Sequence, residues 1–178
     1  MPLNTYNTND GSPIACGLTE YDEFEINNYS GSKKIEIAQN REHIREFINK
    51  AIAGDNLGKK LLLGKIGNDL AQRIYKITGI NLAGYNLELR TDEIRHSRNH
   101  HSNEKTESLR GQQVITAEDF TNFPQIVSDF DKVLVRRNNC LHFIKDIGGK
   151  ITAVTVYASG NKSLSLKTMY KGNIKWEL

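Results

Sequence analysis

Three of the five histidines fall within six positions, at His96, His100 and His101, with Arg90, Arg95 and Arg98 interspersed. An imidazole in water titrates at about 6.5, so a pair of them can supply both a base and an acid at neutral pH. Guanidinium groups beside them bind and neutralise an oxyanion. The combination suits proton transfer at a phosphate. A metal site is the competing reading, because His96 and His100 at i, i+4 have zinc-ligand spacing. No Glu follows His96 as in H-E-x-x-H and no third ligand is nearby, so no metal and no cofactor are expected. His43 on a helix reads as solvated, and His142 within an apolar run reads as structural.

The histidines need a rigid carrier. Asp92 is a suitable helix cap and Glu93 suits a first turn, which predicts a helix over 92–101. On such a helix His96 and His100 share a face, and His101 lies about 140° around from His96. Asn99 and the histidines are weak helix formers, so a bend before His101 is expected. It would bring His96 and His101 into one pocket and leave His100 pointing elsewhere.

The rest of the chain reads as one α+β domain over 33–178 behind a polar arm at 1–32. The arm carries Glu20, Asp22, Glu23 and Glu25 and lacks periodicity, with Tyr21, Phe24 and Ile26 as a docking segment. Ile44, Phe47, Ile48, Ala51 and Ile52 form a helical stripe over 40–53, with Asn40 as cap and Gly54 as stop. Leu61–Ile66 is either a strand or a helix lead-in. A second helix covers 68–78 with Asn68 as cap, and Asn86–Leu89 is a short extended stretch. Residues 103–113 read as a mobile surface loop. A further helical segment covers 117–130, opened by a capping box at Thr116–Asp119 and split in two by Pro124.

After Asp131 the pattern changes to strands at Lys132–Arg136, Cys140–Lys145, Ile151–Ala158 and Ser163–Tyr170. Gly148-Gly149 and Gly160-Asn161 are hairpin signals between the last three. The expected architecture is a helical N-terminal half followed by an antiparallel meander of about four strands, with the helices packed on one side.

Bulk properties narrow the function classes. Net charge is +3 over 178 residues and the isoelectric point about 8.8, a bias toward polyanions too weak to establish a nucleic-acid partner alone. Cys16 and Cys140 form neither a zinc pattern nor a disulfide framework, so free thiols in a reducing compartment are expected. No apolar run is long enough for a membrane span and no signal peptide follows Met1. The expected location is cytoplasmic, with no membrane partner.

Four stretches carry a family resemblance. They are Arg95-His96-x-x-x-x-His101, then Glu107-x-x-Arg110-Gly111-Gln112, then Ile115-Thr116-x-Glu118-Asp119-Phe120 with Pro124-x-Ile126, and Leu166-Lys167-Thr168-Met169-Tyr170. In this order they resemble the phage- and prophage-borne branch of the barnase/EndoU/colicin/RelE-like nuclease superfamily, over about Leu61–Lys171. Ser102 departs from the glycine usual after the second histidine. The resemblance implies a metal-independent endoribonuclease or toxin-like RNase acting by 2′-hydroxyl transesterification. Its implied catalytic residues are His96, His101 and Thr168, with Arg95, Arg110, Lys167 and Tyr170 binding substrate. The implied partners are RNA, tRNA included, and a cognate inhibitor or larger phage protein. Two alternatives stand beside it: a non-catalytic nucleic-acid-binding or phage structural module on the same fold, and a nucleotide-modifying or transferase activity. Arg110 with Glu107 also reads as a minor loop ion pair, and Thr168, Lys167 and Tyr170 as ordinary strand residues.

Overall fold

The computed structural model describes residues 40–173, together with the backbone of three short strands: β1 (Thr5–Asn7), β2 (Pro13–Ala15) and β3 (Ile35–Ile37). The first two pair antiparallel. The acidic cluster and the docking segment around Tyr21 lie outside the described residues.

Helix α1 (Arg41–Ala53) starts where the Asn40 side chain accepts from the His43 amide, and stops at Gly54 with φ +88°. Strand β4 (Lys60–Ile66) leads to α2 (Asn68–Thr78). Asn68 is the first residue of α2 and not its cap, a place held by Gly67. Next come β5 (Asn86–Arg90), α3 (Thr91–His101), α4 (Glu104–Leu109) and the two-residue β6 (Gln112–Gln113). Two short helices follow, α5 (Ala117–Thr121) and α6 (Phe123–Ser128). Both bonds of the Thr116–Asp119 capping box are made, and Pro124 sits in the first turn of α6. Strands β7 (Lys132–Arg136), β8 (Cys140–Ile147), β9 (Lys150–Ser159) and β10 (Ser163–Gly172) close the fold.

The C-terminal meander is present, but it is only part of the sheet. The strand order is β3-β4-β5-β10-β9-β8-β7, with β6 on the end of β10. The N-terminal half is therefore mixed, which corrects its reading as a helical half and the count of about four strands. Leu61–Ile66 is a strand, and β5 runs parallel to β10 while the other pairs are antiparallel. Leu87 and Leu89 of β5 are fully buried and join the core of the meander. A five-residue run carries its own alternation but not the identity of a partner more than 70 residues away.

One hydrophobic core joins helices and sheet, with Phe120, Phe123, Phe130 and Phe143 its largest buried side chains. Phe130 and Phe143 meet edge to face at 5.3 Å. The 103–113 segment is not a mobile loop. Asn103 caps α4 by accepting from the Thr106 amide at 3.1 Å, and β6 anchors the segment to the end of β10. The helix escaped notice because its buried contact is a carboxylate, Glu107, while its apolar Leu109 is exposed.

The register of β10 creates the position of the site. Its edge pairs with β5 through Ser163–Ser165 and with β6 through Lys171–Gly172. Between these two pairings α3 packs against β10. The β6 contact is tight: a Cβ on Gly172 would come within 2.5 Å of the Gly111 carbonyl oxygen and 2.8 Å of the Gln112 Cα. Both obstacles are backbone, so they cannot rotate away. Gly172→Ala should lower stability by about 1–3 kcal/mol, read as a shifted urea midpoint. An unchanged midpoint would show that β6 is not held as described.

Candidate active site

The helix expected over 92–101 is present as α3, but it is continuous through His101. Asp92 is not its cap; Arg90 occupies that position, and Asp92 and Glu93 are in the first turn. Without a bend, helical geometry sends His96 and His101 to different sides. The exposed His96 ring lies against His100, centroids 4.4 Å apart. The expected convergence of His96 with His101 is thus replaced by a His96–His100 pair. The weak propensity of the histidines is overridden by anchoring at both ends of the helix. Thr91 bonds Lys59 through its amide and hydroxyl, Ile94 and Ser97 are buried, and the His101 carbonyl accepts from the Ile115 amide at 3.0 Å.

His101 turns toward the sheet. Its Nδ1 lies 2.9 Å from Oε2 of Glu107, and Arg110 Nη1 donates to Oε1 of the same carboxylate at 3.1 Å. The Glu107 side chain is 1% exposed and that of His101 14%. A buried carboxylate is tolerated where both oxygens are satisfied by cationic or hydrogen-bonding partners, as here. The helical turn of α4 sets this up, with Glu107 and Arg110 at i, i+3. Glu107 is therefore the orienting group of His101, and its pairing with Arg110 is more than a loose loop contact.

On its other side His101 meets Tyr170, with ring centroids 5.9 Å apart and planes at 30°. Tyr170 in turn stacks on His142 at 5.7 Å and 27°. The Tyr170 hydroxyl is 2.9 Å from His142 Nε2, and His142 Nδ1 is 2.8 Å from Thr155 Oγ1. Burial pushes the Tyr170 phenol up to about 12, against the charge of Arg136. It pushes His142 down to about 4, with Arg136 adding to the shift. At neutral pH the phenol keeps its proton and His142 is uncharged. The simplest assignment has Tyr170 donating to Nε2 and Nδ1–H donating to Thr155.

Cross-strand register places Thr168 in this group. His142 pairs with Thr155 and Thr155 with Thr168, so the three form one row, and Tyr170 is two residues along the same face. A register shift between Leu166 and Thr168 leaves Lys167 as the extra residue of a bulge. Lys167 donates to Glu93 of α3 at 3.3 Å and is half exposed. Arg95 goes elsewhere: a Cβ on Gly54 would meet its Nη1 at 3.0 Å, so its guanidinium sits at the C-terminal end of α1. Of the sequence candidates, His101, Arg110, Thr168 and Tyr170 come together, Lys167 borders them, and His96 and Arg95 are apart.

Glu107, His142 and Thr155 were missed as members of the group. His142 alternates with the core residues Leu141 and Phe143, which sets it on the opposite face of β8. Its partner Tyr170 lies 28 residues on. A cleft of about 670 Å³ lined by Ser102, Glu104, Ser108, Gln112, Gln113 and Val114 is nearby, but none of the clustered side chains lines it. Among the described residues no group of three or more His, Cys, Asp or Glu is arranged around a metal position, and no helix is long and apolar enough to cross a membrane.

No curated protein and no solved structure gives a significant match to the chain. A family match does cover residues 64–177, more than half of the chain and all of the clustered residues. With the elements from the end of β4 through β10 inside that match in order, the chain belongs to the phage-Barnase-EndoU-ColicinE5/D-RelE like nuclease 3 family.

Proposed function

We propose that the chain is a metal-independent endoribonuclease whose central proton-transfer group is His101. The observation that carries this reading is the buried Glu107 carboxylate held between His101 Nδ1 and Arg110. With Nδ1–H donating to Glu107, Nε2 is the nitrogen that exchanges a proton with substrate. Nε2 takes the proton of an RNA 2′-hydroxyl, the 2′-oxygen bonds to phosphorus, and the bond from phosphorus to the 5′-oxygen breaks. The leaving oxygen takes a proton, and the products are a 2′,3′-cyclic phosphate and a 5′-hydroxyl. Arg110 and Lys167 offset the charge that builds on the phosphorane, the Thr168 hydroxyl orients it, and the Tyr170 ring holds the His101 imidazole in place by stacking. His96 stands outside this group, so the leaving oxygen is protonated from water. That predicts slower chemistry than two positioned histidines would give.

The test is incubation of the purified protein with total RNA and with tRNA. Cleavage with cyclic phosphate ends, unchanged by EDTA, is expected. A 2′-deoxy residue at the cut position should block cleavage because the internal nucleophile is gone. Equal cutting of the deoxy substrate, or loss of activity in EDTA, rules out the mechanism. If RNA is bound and never cut, a nucleic-acid-binding module becomes the better reading.

A further inference from the structure

The face of the sheet that carries the His142–Thr155–Thr168 row has a second row beside it. Arg136 pairs with Cys140, Cys140 with Tyr157 and Tyr157 with Ser165. Tyr157 is two residues from Thr155 on β9, so it shares that face about 7 Å further along. The β9 residues Val154 and Val156 on the opposite face are fully buried, whereas Tyr157 is 37% exposed. An aromatic ring left accessible on the site's own face is unlike the other rings there, since Tyr170 and His142 are stacked inward.

Two cations bracket it. Arg136 stands in the same row, two strands from Tyr157, and its charge acts on both His142 and Tyr170. Lys167 sits at the β10 bulge opposite Thr155 and Val156, one row from Tyr157, and is half exposed with Nζ near Glu93. An exposed aromatic face between cations, continuous with a phosphate-handling group, is the chemistry that recognises an unpaired nucleotide. The ring takes the base and the cations take the flanking phosphates. A base inside a duplex is already stacked on its neighbours and cannot use the ring.

We infer that Tyr157, with Arg136 and Lys167, forms a subsite that stacks one unpaired base of single-stranded RNA beside the phosphate at His101. The inference deepens the nuclease reading and rests on it for the position of that phosphate.

The experiment measures binding and cleavage separately on the full chain. Binding uses a fluorescent single-stranded oligonucleotide with 2′-O-methyl groups throughout, which lacks the nucleophile, and the same sequence as a duplex. Tyr157→Ala should weaken single-strand binding about tenfold and raise KM with kcat kept. Duplex binding should be unchanged. Tyr157→Phe, which keeps the ring, should restore single-strand affinity. Arg136→Gln should weaken binding regardless of sequence and lower the salt slope by about one. Wild-type affinity in Tyr157→Ala overturns the subsite and leaves the nuclease reading standing if RNA is still cut. Tyr157-dependent binding without any RNA cleavage upholds the subsite and overturns the nuclease reading. A wild-type chain that neither binds nor cuts overturns both.

Discussion

His101→Ala should cost on the order of a hundredfold or more in cleavage rate, the usual effect of losing a positioned acid–base group. The argument is geometric. His101 is the one histidine of the cluster held by a buried carboxylate and packed against the β10 tyrosine. His96 and His100 lie on another side of α3, against each other and exposed. His96→Ala and His100→Ala should therefore both leave the rate within a few-fold of the parent. Glu107→Gln, which keeps the shape and removes the charge, should fall between these outcomes. Rates on one defined RNA, with circular dichroism to verify folding, make the comparison. If His96→Ala proves as costly as His101→Ala, the two histidines act together and α3 must deform on binding RNA. If His101→Ala cuts at the parental rate, the site lies elsewhere.

Acid should weaken the fold through His142. An unfolded imidazole titrates near 6.5, whereas His142 in the folded chain is pushed down to about 4, first by burial and then by Arg136. Between these two values the unfolded state holds a proton that the folded state lacks. Stability from this residue is present above about pH 6.5 and is lost as pH falls toward 4. The full difference is about 3 kcal/mol, as an order of magnitude from one unit being about 1.4 kcal/mol. Urea unfolding at steps from pH 7 to pH 4 should show the decline. His142→Gln keeps a side chain able to bond both Tyr170 and Thr155, and should flatten the profile over that interval. A variant profile parallel to the parent's would show that another group governs the acid sensitivity.

The two expectations depend on different kinds of information. His101 was legible as a candidate because side-chain chemistry is local: an imidazole cluster with guanidiniums can be recognised without knowing where it sits, whereas Arg110 came only through the family resemblance. Helix α1 and strands β7 to β10 were legible for the same reason, since a stripe at 3.6 residues or an alternation at two needs only its own segment. The Asn40 cap, the Thr116 capping box and the glycines at 148 and 149 are likewise short-range devices.

Contacts between distant segments decided the rest. The strand character of Leu61–Ile66 was left open by its sequence and settled by pairing with β5. The parallel match of β5 to β10 joins residues more than 70 positions apart, which no local pattern encodes. The partner of His101 followed from those contacts. Propensity allowed a bend that would have joined it to His96. Anchoring at Lys59 and Ile115 kept α3 straight, and the capped α4 placed Glu107 on the imidazole instead. Residue types along the chain determined which chemistry was available. The free energy of packing α3 along the uncovered edge of β10 decided which of three similar histidines is held where that chemistry can occur.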